Sequence, residues 1–170
     1  MTESPKHNIN DHMDNVNYMY MRLALEEAKK AGQKDEVPIG AIIVAENGEI
    51  LSAAHNLSIR LVDPTAHAEM LALRKAAHRI QNYRLLNTTL FSTIEPCPMC
   101  MGAILHARVA KIVFGAEDPK WGAAGSLYNF AIDQRLNHKI EVVSGIFRDE
   151  CRSLIQNFFR IRRKKGTQNK

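Results

Sequence analysis

The chain has 170 residues, 45 % of them hydrophobic, which suits one packed core and falls short of two ordinary domains. Its net charge is a modest +5, and Arg160, Arg162, Arg163, Lys164 and Lys165 concentrate the cationic excess near the C-terminus. Three cysteines, an odd number, argue against a secreted disulfide framework, and no signal peptide, anchor or membrane-length apolar run is visible, so a soluble cytoplasmic protein is expected.

Residues 1–15 read as a polar leader, 16–165 as one domain and 166–170 as a polar tail. Met19, Leu23, Ala24 and Ala28 recur at helical spacing from about Val16, with Asp14 as N-cap and Gly32 as the stop. Two apolar segments, Ile39 to Ala45 and Glu49 to Ala54, flank Glu46-Asn47-Gly48 and predict a hairpin. A helix follows from about Ala66 to Ile80, then a strand at Thr88 to Thr93. Pro98 suits the first turn of another helix, which ends near Arg108. Lys111 to Phe114 and Ile140 to Val143 read as further strands, separated by a segment whose part from Asp118 to Ser126 is rich in Gly, Ala and Pro. A closing helix from about Arg148 carries Leu154, Phe158 and Ile161 on one stripe. A hairpin followed by alternating strands and helices predicts an α/β domain of three layers, with a mixed five-stranded sheet between helices on both faces.

The chemistry concentrates in Pro64-Thr65-Ala66-His67-Ala68-Glu69 and Glu95-Pro96-Cys97-Pro98-Met99-Cys100. One imidazole and two thiolates make three zinc ligands, and catalytic zinc sites use three protein ligands while structural sites close with four. No fourth ligand is evident, since Cys151 lies far along the closing helix and reads as a buried small hydrophobe. Both ligand segments fall where a helix begins and thiolates are favoured. Glu69, two residues after His67, is placed to move protons at the open position and not to hold metal. Glu95 reads as a cap for backbone N–H groups. An isolated C-x-x-C also fits a redox pair, but H-x-E followed roughly thirty residues later by P-C-x-x-C is the signature of zinc nucleobase deaminases.

The likeness extends beyond these motifs, through Asp35 to Ala41, His55-Asn56, Asn82 to Leu85, Val113 to Ala116, Gly122-Ala123-Ala124-Gly125-Ser126 and Phe158 to Arg163. From about Tyr18 to Arg163 the chain resembles the bacterial tRNA-specific adenosine deaminases of the cytidine-deaminase superfamily. The resemblance implies a cytidine-deaminase-like fold, Zn2+ on His67, Cys97 and Cys100, proton transfer by Glu69 and a hydrogen bond from Asn56 to the target nucleoside. It further implies a homodimer that converts the wobble adenosine of a tRNA anticodon stem-loop to inosine, with Asp118 and Lys120 lying against the RNA. Phe159, Arg162 and Arg163 join aromatic and cationic groups at one helix end and are further candidate RNA contacts. Trp121 departs from the small or polar residue expected in the Asp118–Lys120 loop and offers a stacking surface. Small-molecule guanine and cytosine deaminases share the metal motifs, so they form the competing reading, with a catalytically idle RNA-binding or structural zinc module behind them.

Overall fold

The computed structural model describes the backbone of residues 9–168 and the side chains of residues 15–164. In chain order the elements are α1 (Ile9–Gln33), β1 (Gly40–Val44), β2 (Ile50–His55), α2 (Ala68–Ile80), β3 (Thr89–Ile94), α3 (Pro98–His106), β4 (Lys111–Ala116), β5 (Glu141–Ser144) and α4 (Arg148–Gln168). The sheet order is β2-β1-β3-β4-β5. β1 pairs antiparallel with β2 and β3, whereas β3, β4 and β5 run parallel, so the sheet is mixed as predicted. Asn47 and Gly48 form the expected hairpin turn: Gly48 adopts φ +85° and the Asn47 side chain accepts from the Glu49 N–H at 3.0 Å.

Alternation along the central strands divides the core into two layers. Ala41 and Ile43, Leu90, and Ile112 and Phe114 point to one face, where they meet Ala72, Leu73 and Ala76 of α2 and Met101 and Ile104 of α3. Their neighbours Ile42 and Val44, Phe91 and Val113 point to the other, against Tyr20, Met21 and Ala24 of α1. α4 joins α1 on that second face through Cys151, packed with Leu25 and Ala116. These strands are buried on both faces, which explains why their sequences read as continuous apolar runs.

Three expectations about the helices need correction. α1 starts at Ile9, so Asp14 lies inside the helix and does not cap it, and residues 9–15 of the expected leader are helical. No Gly or Pro falls between Ile9 and Ala31 to stop the backbone ladder. Its buried stripe is Tyr20, Met21, Ala24, Leu25, Ala28 and Ala31, while Met19 and Leu23 face outward. Small residues decide that face because α1 lies directly on β1: a Cβ at Gly40 would stand 2.1 Å from the Ala24 carbonyl oxygen and 2.5 Å from the Ala28 nitrogen. Gly40→Ala is therefore expected to lower stability by about 3 kcal/mol, read as a fall in the urea midpoint at unchanged m-value. The third correction concerns α4, whose predicted stripe is buried only near its start. Leu154 packs inward and Phe158 is half-buried, but Ile161 is 51 % exposed because the helix runs on past the layer that covers β3 and β4.

Cys151 behaves as the small hydrophobe expected of it. It is 1 % exposed, burial pushes its thiol up to about 12, and Gly115 leaves room for its sulfur. No helix among the described residues is long and apolar enough to cross a membrane.

Candidate active site

The first ligand segment ends at the start of α2 and the second at the start of α3. His67 is the N-cap of α2 and Cys97 the N-cap of α3, each with extended backbone and neither spending its side chain on a capping bond. Pro98 opens α3 and fixes its first turn, so Cys97 and Cys100 stand one helical turn apart on the same side. His67 Nδ1 lies 3.7 Å from Cys97 Sγ and 3.6 Å from Cys100 Sγ, and all three donor atoms fall within 4.8 Å of one another. A tetrahedral zinc with ordinary Zn–N and Zn–S bonds has N···S edges of roughly 3.5 Å, so the donor set fits that ion in number, type and spacing.

The electrostatics follow from this crowding. The hydrogen bond shared with Cys100 draws the Cys97 thiol down to about 4, with His67 assisting, while the same bond and burial push the Cys100 thiol up. The bond to Cys97 also raises the His67 imidazole. Metal binding would require both thiols deprotonated and the imidazole neutral, with release of protons. Glu69 stands in the first turn of α2, 2 % exposed, and burial lifts its carboxyl to about 7. Its Oε2 has no hydrogen-bond partner among the described residues. An orphaned buried carboxylate oxygen beside an open three-ligand set is what an arriving water or substrate proton would satisfy, and a value near neutrality suits both taking and giving a proton.

Two further buried carboxylates hold the surrounding loops. Glu36, fully buried just before β1, accepts from Asn56 Nδ2 at 3.2 Å, from the Ile59 N–H at 3.2 Å and from the Arg60 N–H at 2.6 Å. The Ser58 hydroxyl donates to Asn56 Oδ1 at 3.2 Å, so the Asn56 amide is held from both ends. Glu95, at the end of β3, accepts from the N–H groups of Asp118, Ala124 and Ser126 at 3.1, 2.9 and 3.0 Å and from the Ser126 hydroxyl. It thus caps backbone as expected, but it caps the loop between β4 and β5. Gly122 lies flat against it, since a Cβ there would come within 2.3 Å of its Oε2. Glu36 escaped the reading of individual residues because its partners lie 20 to 24 positions away. The available signal was an acidic residue immediately before the apolar stretch Val37 to Ala41.

Comparison with known proteins decides the family. Residues 14–116 match the model of the cytidine and deoxycytidylate deaminase zinc-binding region. The chain belongs to that deaminase family. It is 52 % identical over 143 residues to the tRNA-specific adenosine deaminase of Haemophilus influenzae, covering 84 % of this chain and 83 % of the relative. It is 50 % identical over 147 residues to the enzyme of the same name from Bacillus subtilis, covering 86 % and 91 %. A solved structure from studies of A-to-I editing by tRNA:A34 deaminases superposes with a TM-score of 0.77 at 40 % identity, covering 80 % of this chain and 98 % of that one.

Within this deaminase the candidate RNA contacts divide into two groups. Asp118 and Lys120 sit on the loop that Glu95 ties to the strand leading into Cys97, and Asp118 Oδ1 accepts from the N–H groups of Lys120 and Trp121 at 2.9 and 3.1 Å. Phe159, Arg162 and Arg163 are exposed on α4. Phe158 stacks edge-on with Phe159, and the Arg162 guanidinium lies 5.3 Å from the Phe158 ring.

Proposed function

We propose that this chain hydrolyses adenosine to inosine at the wobble position of tRNA, with His67, Cys97 and Cys100 as ligands of one Zn2+ and Glu69 as the catalytic acid and base. The observation that carries the reading is the buried Glu69 carboxyl, near neutrality and with its Oε2 unpaired among the described residues, beside the three-donor cluster, in a chain half identical to tRNA-specific adenosine deaminases. Bound zinc would supply a Lewis acid that makes water a competent nucleophile near pH 7. Glu69 takes one proton from the attacking water and delivers it to adenine N1 as the C6–O bond forms. It then moves the remaining hydroxyl proton to the exocyclic nitrogen, the C6–N bond breaks, and ammonia leaves with C6 as a carbonyl. Both transfers pass through one carboxyl group, which is why a value near neutrality serves better than that of an exposed glutamate. Incubation with an anticodon stem-loop bearing adenosine 34, followed by nucleoside analysis, is expected to give inosine at that position.

Asn56 is the substrate-orienting residue in this reading, and Glu36 positions it. Glu36→Ala leaves the Asn56 amide and two backbone N–H groups without their charged acceptor. A fall of about tenfold to a hundredfold in kcat/KM is expected, with zinc content unchanged. Equal activity in the variant would remove Asn56 positioning from the account.

The α4 cations serve as phosphate contacts. Replacing Arg162, Arg163, Lys164 and Lys165 together with alanine should weaken stem-loop binding and flatten the slope of log K against log salt by up to about 3, at roughly 0.7 per lost contact. A homodimer is the assembly that fits the exposed apolar residues around the site. Ile59, Leu61 and Val62 follow Asn56, and Leu127, Tyr128, Ile132 and Leu136 follow the Glu95-anchored loop, all of them exposed. Sedimentation at micromolar concentration should give twice the chain mass. A tRNA substrate also makes the cytoplasm the expected location.

A further inference from the structure

Trp121 is the chain's only tryptophan, and it is 65 % exposed. The loop beneath it is rigidly held: the Trp121 N–H is bonded to Asp118 Oδ1 at 3.1 Å, and the Gly122 N–H to the Asp118 carbonyl at 2.8 Å. Gly122 itself lies flat on the Glu95 carboxylate, and the Ala123 N–H bonds to the carbonyl of Pro96, the residue before Cys97, at 2.9 Å. Chain geometry therefore places the Trp121 backbone within about 20 Å of the metal cluster. Exposing a large indole costs hydration free energy, yet here a buried carboxylate, an Asx-type turn and a close-packed glycine all hold the loop that displays it.

We infer that Trp121 is a stacking platform for an unpaired base next to the nucleotide being deaminated. This rests on the proposed RNA substrate. The indole has the shape and π-face to stack on any base, and the backbone beneath it is already fixed, so stacking orders only the side chain. Lys120, exposed beside it, adds a cation for the adjoining phosphate, and the Asp118 carboxylate next to it is engaged with backbone N–H groups. An unpaired anticodon-loop strand is the partner that this pairing of ring and cation suits, because its bases are free to splay out of the stack.

Because Trp121 is unique, its emission reports the contact directly. Titrating the zinc-loaded protein with the adenosine-34 stem-loop is expected to quench the emission saturably, and an abasic site at the contacted flanking nucleotide should abolish the quenching. Trp121→Ala should weaken stem-loop binding roughly 5- to 150-fold at unchanged zinc content, and Trp121→Phe should recover much of the loss. Stem-loop deamination with unaltered emission, or full affinity in Trp121→Ala, would overturn the stacking role while leaving the substrate assignment intact. Emission that shifts with protein concentration alone and is then indifferent to RNA would assign the indole to a contact between copies of the chain and would also overturn it. Absence of both stem-loop binding and inosine in the unsubstituted protein would remove the RNA reading and this inference together.

Discussion

Glu69→Gln is expected to keep zinc and stem-loop affinity near the unsubstituted values while lowering single-turnover inosine formation by about a thousandfold or more. The amide has nearly the volume of the carboxyl, so the buried pocket that holds Glu69 at 2 % exposure stays filled, and loss of rate reports proton transfer and not collapse of the fold. General acid–base catalysis by a positioned side chain contributes about 10² to 10⁴ in rate, and here both proton movements pass through the same group. Glu69→Ala should behave alike in rate but with some loss of stability from the cavity. Inosine formation within tenfold of normal in Glu69→Gln would assign the proton work elsewhere.

The second large effect concerns the metal. Purified protein is expected to hold about one zinc per chain. Cys97→Ala and Cys100→Ala should each lose most of it, because two ligands remain where catalytic sites use three. Cys151→Ala should retain it, since that thiol packs against Leu25 and Ala116 on the opposite face of the sheet. Metal analysis by mass spectrometry reads all three variants, and circular dichroism checks their folding. Zinc retained in Cys97→Ala but lost in Cys151→Ala would reverse the ligand assignment.

The cluster was legible in the sequence because its three donors arrive in two short motifs, each at a helix start. The three-residue spacing of Cys97 and Cys100 puts both thiols on one side of a first helical turn, His67 and Glu69 flank the start of α2, and Pro98 marks where α3 begins. The sheet was legible for a similar reason, since Asn47-Gly48 specifies a hairpin and buried strands are short apolar runs. Glu36 and the target of Glu95 were hidden because each acts across the chain, on Asn56 and on the 118–126 loop, through contacts that no local pattern encodes. The buried face of α1 was misread for a related reason. Met19 and Leu23 are larger than Ala24 and Ala28, but close approach to Gly40 selects the small residues, and hydrophobicity alone does not register that constraint.

Side-by-side measurement of ammonia release from the adenosine-34 stem-loop, free guanine and free cytosine tests the account at its centre. The zinc-loaded protein is expected to turn over the stem-loop with a kcat/KM at least about a thousandfold above either free base, since neither base brings the RNA binding energy or the adenine ring that the proposed reaction uses. Efficient release from guanine or cytosine with none from the stem-loop would contradict it, and the chain would then be a small-molecule deaminase built on the same zinc site.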